Sequence, residues 1–255
     1  MKWQPVDCHA HSTFSDGQLS VEQVVERAAL YGVQPSLADH ISRDVARTID
    51  TVDEVAIYLD ELERHPVLHS GEFCYHDHLW REIPGHLVRR FNHRVGSLHA
   101  VRLPDGTIVR AFSRHIPSGL TADAYMDAHI AYAESFAQEM PVDILAHPTL
   151  VAMSFRHVDR DELWTEERET RLVEALYKAG IAFEISNRYQ PHDRLVRRAV
   201  DRGVRISLGS DGHTREQVAD IIRPLAMARA LGVRDEDLYD PRRHGSRTDW
   251  QGDRR

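Results

Sequence analysis

The stretch "DCHAHSTFSDG", residues 7–17, places His9 and His11 one residue apart and Asp16 five positions further on. Imidazoles and carboxylates are ligands for zinc, manganese or iron. Seventeen histidines occur in 255 residues, so any one pair could be coincidence. Position decides between the two readings. His40 stands in "LADH", Glu72 in "HSGEF", His99 in "GSLHA" and His147 in "ILAHP". Glu184 lies in "FEISNR", and Asp211 and His213 lie in "GSDGH". Nearly all of them end or follow a short apolar run.

Those runs read as strands at 5–8, 33–38, 66–70, 94–100, 142–147, 181–186 and 204–210, being short and mostly rich in aliphatic residues. Between them, apolar residues recur at helical spacing over 20–31, 52–64, 121–139, 166–179, 193–202 and 214–231. Ser20, Thr121, Asp193 and Thr214 are placed as caps, and Gly180 and Gly203 as stops. Strand and helix alternating seven times predict an α/β fold with a parallel sheet, as a closed or nearly closed barrel or as an open doubly wound sheet. In a barrel of parallel strands the C-terminal ends share one face, so the histidines and acids above would converge there.

The regularity breaks in an insertion around residues 73–120, where "VRLPDGTIVRAF" predicts a hairpin about Pro104-Asp105-Gly106. From Asp235 the chain turns polar and charged. The division expected is a barrel domain over 1–234 and a flexible C-terminal tail over 235–255.

Taken in order, "DCHAHSTFSDG", "ADH", "SGE", "SLH", "LAHP" and "GSDGHT" resemble the motifs of the polymerase and histidinol phosphatase (PHP) superfamily. The resemblance spans residues 7 to about 231. It implies a distorted (β/α)7, TIM-like barrel that binds two or three divalent ions (zinc, manganese or iron) and hydrolyses phosphoesters. Carried over by motif, His9, His11, Glu72 and Asp211 would hold one ion. Glu72, His99 and His147 would hold a second, and Asp16, His40 and His213 a third. A hydroxide activated by the ions would attack phosphorus, with Asp16, His40 or His213 assisting proton transfer if the third site is empty. Arg188, after the sixth strand, could clamp the phosphate, and Glu184 and Asp7 could orient ligands. Arg81, Arg114, His76, His78 and His115 of the insertion could line the pocket, a solvated surface role being the favoured reading, and buried packing is the reading for Cys8.

The charge bounds the substrate. Thirty-two Lys and Arg against 40 Asp and Glu leave −8, which argues against general nucleic-acid binding without excluding it. With that charge, the resemblance implies a phosphatase of a small, histidinol-phosphate-like monoester. A nuclease or nucleotide phosphatase, a hydrolase of another bond, and a metal-binding accessory protein are the alternatives. Two cysteines far apart predict no disulfide framework. With no signal-like N-terminus and no apolar run of membrane length, cytoplasmic residence and no membrane partner are expected. The oligomeric state is left open.

Overall fold

The computed structural model describes residues 3–45 and 47–246. The fold is α/β. Strands β1 (Val6–Ala10), β2 (Gln34–Leu37) and β3 (His40–Ile41) alternate with helices α1 (Val21–Tyr31) and α2 (Val52–Leu62). Next come β4 (Leu68–His69), β5 (Glu72–Cys74), the short α3 (Gly85–Val88), β6 (Val95–Ser97), and the hairpin β7 (Ala100–Arg102) and β8 (Ile108–Arg110). Helix α4 (Ala122–Glu139), β9 (Ile144–Leu145), α5 (Arg160–Leu163), α6 (Glu166–Ala179), β10 (Ala182–Ser186), α7 (Asp193–Arg202), β11 (Ile206–Gly209), α8 (Ile222–Ala230) and α9 (Pro241–His244) follow.

Local chemistry explains the helix limits. Ser20 with Gln23 and Thr51 with Glu54 form capping boxes that satisfy the first free N–H groups of α1 and α2. Thr121 caps α4. Gly180 and Gly203 end α6 and α7 in the left-handed conformation that a side chain resists. Asp193 opens α7 as its first residue rather than capping it; His192 is the cap position.

The helix expected over 214–231 begins only at Ile222. Residues 214–221 instead fold back under β1. The buried Asp7 carboxylate accepts the Ala219 N–H at 3.1 Å, and Ala219 adopts a positive φ of 64°. Val218 and Ile221 are buried three positions apart, a helical spacing, which is the signal that misleads.

All sheet pairings except the hairpin are parallel. One sheet runs β1-β2-β4 and the other β11-β10-β9-β6-β5-β3. Only two residues separate β2 from β3 and β4 from β5, and the ladder continues through the gaps. Ser70 N–H donates to Leu37 O and Glu72 N–H to Asp39 O, both at 2.9 Å. Beyond β11, Asp211 N–H donates to His9 O at 2.7 Å and His11 N–H to Gly212 O at 3.0 Å. The helices cover the sheet through one large apolar core.

The irregular region is not one insertion but two pieces on either side of β6, which pairs with β5 and β9 inside the sheet. The hairpin forms with Ala100 opposite Arg110, and Gly106 turns it at φ 88°. The tail expected from residue 235 starts with packed chain. Tyr239 N–H donates to Ile206 O at 2.8 Å, and Tyr239 packs with Val6, Cys8, Val95, Ile144 and Ala182 near the strand starts. Residues 247–255 of that tail lie outside the described residues.

Candidate metal centre

Alternation along β1 points residues two apart the same way, and both His9 and His11 are fully buried, their ring centroids 5.0 Å apart. Parallel register sets His40 of β3 directly beside Glu72 of β5. His99 follows β6, and His147 and Asp211 follow β9 and β11 with positive φ of 31° and 50°. Left-handed backbone at non-glycine positions is strained and persists where the surroundings enforce it. Both strained residues turn into the same cluster.

Glu72 is the centre of that cluster. Its Oε2 lies 2.8 Å from His40 Nδ1, 3.5 Å from His9 Nε2 and 3.7 Å from His11 Nε2. Its Oε1 lies 3.0 Å from His147 Nε2 and 3.3 Å from His99 Nε2. Burial alone would raise this carboxyl, but the imidazoles of His99, His40 and His9 hold it well below the usual range. Asp16 Oδ1 lies 3.2 Å from His213 Nε2 and 3.5 Å from His40 Nε2, and Asp211 Oδ1 lies 3.5 Å from His11 Nε2. All nine residues singled out by motif thus meet at one place.

Three ligand-like groupings emerge: His11, Asp16, His40 and His213; His9, His11 and Asp211; and His40, Glu72 and His99. The partition differs in detail from that carried over by motif, because His40 and His11 each serve two groups. Asp16 Oδ1, Glu72 Oε2 and Asp211 Oδ2 are buried acceptors without a hydrogen bond. Buried anionic oxygens are costly unless a cation meets them. Five imidazoles around one bridging carboxylate, with free acceptors aimed inward, fit a group of divalent cations.

Surrounding residues hold the cluster in shape. Glu184 accepts from His9 Nδ1–H at 2.8 Å and from the His147 N–H at 2.6 Å, which leaves His9 Nε2 free to face Glu72. Asp7 supports backbone rather than imidazole. It accepts from Ser210 N–H, Ser210 O–H and His9 N–H at 2.8, 2.6 and 3.3 Å, and burial pushes its carboxyl up to about 6. Asp39, which the sequence reading passed over, accepts from Ser12 N–H, Ser12 O–H and Ser15 O–H at 2.6 to 2.7 Å, bracing the loop that carries Asp16. Its signal was an acid between two apolar residues and His40 in "LADH".

The cluster opens into a pocket of about 200 Å³ lined also by Val45, Phe112, Arg188 and Tyr189. Arg188 donates to His213 Nδ1 at 2.6 Å, at the rim. Phe112 is 49% exposed, and its ring lies 5.7 Å from His99 and 6.4 Å from Tyr189. Neither aromatic was foreseen; Phe112 falls in the hairpin region and carries no motif. Arg81 pairs with Glu139 at 2.7 Å and His76 contacts Asp44. Neither they nor His78, Arg114 and His115 line the pocket. Cys8 is fully buried among apolar residues.

No family model and no curated protein matches the sequence. Solved structures do. The histidinol phosphate phosphatase HisK of Lactococcus lactis subsp. lactis, crystallised with zinc, L-histidinol and phosphate, superposes with a TM-score of 0.68 at 15% identity. The match covers 91% of this chain and 95% of that one. A HisK protein of Listeria monocytogenes, described as a candidate histidinol phosphatase, gives 0.67 at 13% identity over 84% and 97%. At these identities the likeness establishes a shared fold. No helix among the described residues is long and apolar enough to cross a membrane.

Proposed function

We propose that this chain is a metal-dependent phosphatase of the PHP superfamily that hydrolyses a small phosphate monoester of the histidinol-phosphate kind. The observation that carries this is Glu72, buried and surrounded by five imidazole nitrogens at 2.8 to 3.7 Å. The seven β/α units form, in our reading, a distorted ring; the bonds joining His9 and His11 to residues 211–212 support its closure. The ring through α8 is the catalytic domain, and the chain after residue 234 is an appendage to it.

His9, His11, Glu72 and Asp211 would hold one ion, Glu72, His99 and His147 a second, and Asp16, His40 and His213 a third. When bound, such ions offset phosphoryl charge and lower the pKa of water. The zinc and phosphate of the Lactococcus protein make zinc the first ion to test. Arg188, a planar donor at the rim, binds the outer phosphoryl oxygens. Asp16 lies beside His213 and His40; burial would raise its carboxyl, but these imidazoles hold it below the usual range, so it stays anionic, and with the third site empty His40 or His213 would hand a proton to the leaving alcohol. Phe112, Tyr189 and Val45 exclude water around the organic part. A pocket of about 200 Å³ suits a compact alcohol, and the charge of −8 argues against general nucleic-acid binding. Two unpaired buried cysteines agree with a reducing cytoplasmic setting.

Metal analysis of the purified protein, with histidinol phosphate, p-nitrophenyl phosphate and an oligonucleotide as substrates, tests the proposal. Two or three ions per chain and monoester hydrolysis are expected, both lost in His9→Ala and Glu72→Ala. No uptake of zinc, manganese or iron would refute it, and cleavage of the oligonucleotide alone would move the chain to the nucleases.

A further inference from the structure

An imidazole that faces a cation through one nitrogen must carry its proton on the other, and whatever accepts that proton fixes the ring. For His9 the acceptor is the Glu184 carboxylate. For His99 it is something else. His99 Nδ1 lies 3.2 Å from the Cys74 sulfur and 3.3 Å from the Ser97 hydroxyl oxygen. Cys74 ends β5 and Ser97 ends β6, and the two are direct partners in the parallel ladder. One register position therefore presents both groups to the same ring nitrogen. Ser97 O–H donates to Phe73 O at 3.4 Å, which leaves its lone pairs for His99. Cys74 is 1% exposed. It forms no disulfide.

We propose that Cys74 and Ser97 are positioning residues. Together they hold the proton of His99 on Nδ1 and aim its Nε2 at Glu72. The inference rests on the metal-site reading above and adds a ranking within it. A thiol and a hydroxyl polarise an imidazole less than a carboxylate does. The ion on the Glu72–His99 side is therefore released more readily than the one on the His9 side.

Two measurements test this. Long-range ¹H–¹⁵N spectra of metal-free, ¹⁵N-histidine-labelled protein report the tautomer, with His99 assigned by its loss in His99→Gln. The expected result is a proton on Nδ1, passing to a tautomer mixture in the Cys74→Ala/Ser97→Ala double variant. Chelator-driven zinc release is the second measurement. In the double variant one equivalent should leave about 10- to 100-fold more readily, the others unchanged, and Cys74→Ser should restore wild-type release. The single alanine variants carry the same test with smaller effects if the double variant melts early. A wild-type His99 protonated on Nε2 with zinc bound normally overturns the positioning role alone. So does a folded double variant that releases zinc as wild type does. A wild-type protein that takes up no zinc overturns the metal reading and this role with it.

Discussion

Replacing Glu184 by glutamine changes charge and one hydrogen-bonding group while keeping shape. Glu184 is fully buried, and its two oxygens each accept one bond, from His9 Nδ1–H at 2.8 Å and His147 N–H at 2.6 Å. Glutamine has one oxygen. If it serves the His147 N–H, its NH₂ faces His9 Nδ1, and two donors oppose each other. A buried donor left unmet costs about 1–3 kcal/mol. The alternative is a switch of tautomer, in which His9 moves its proton to Nε2 and accepts from the amide. The conflict is then relieved, but the lone pair aimed at Glu72 is gone. Either way the loss falls on His9, and orienting partners of metal ligands are worth about 10- to 100-fold in metal affinity. Zinc content after dialysis against a weak chelator should fall, with phosphatase activity falling in step and recovering partly at high zinc. Melting of the metal-free variant should drop by only a few degrees. A Glu184→Gln protein that keeps wild-type zinc and activity would refute the claim that this carboxylate sets the His9 tautomer.

Gly209→Ala should produce a similar defect from the opposite side, since an added Cβ would overlap the Glu184 carboxylate and sit 2.9 Å from His9 Cβ; zinc content and activity read it, and a wild-type alanine variant would show that the contact is slack. Phe112→Ala should raise KM several-fold with little change in kcat or melting, because the ring lines the pocket mouth but is 49% exposed. The metal-free fold should lose stability in acid. Burial lowers both His93 and His129 from 6.5 to about 4. The unfolded chain takes up these protons near pH 6.5 and the folded chain only near 4, so this stability is complete above 6.5 and is lost as the pH falls toward 4. The loss is at most about 3 kcal/mol per group, offset in part by Asp7, which is raised to about 6 and gains stability on protonation. Urea titrations at pH 7 and 4.5 should show a smaller difference for His129→Leu than for wild type, and an equal one would count against His129 as a source.

The cluster was legible because its members are separated in sequence yet equivalent in topology. In parallel β/α units, strand C-terminal ends share a face, so a histidine ending one run and an acid ending another could be assigned to one site without knowing any distance. His40 beside Glu72 in register is that rule at the level of a single pair. Arg188, after β10, reaches the pocket rim for the same reason.

What stayed hidden depends on contacts that no local pattern encodes. Helix α8 starts eight residues late because Asp7, more than 200 positions earlier, accepts the Ala219 N–H. A carboxylate's choice of partner leaves no periodicity to read, whereas Val218 and Ile221 leave a false one. Asp39 and Cys74 illustrate the same limit within the site. Asp39 stands beside His40 in sequence yet serves the loop bearing Asp16, through Ser12 and Ser15. Cys74 stands two residues beyond Glu72 on the same face of β5, yet one step further along the strand it meets the outer nitrogen of His99 instead of the acid cluster. Ligands are chosen by residue type and strand position, which sequence carries. The groups that aim those ligands are chosen by which neighbour the register brings alongside, and only the paired strands reveal that.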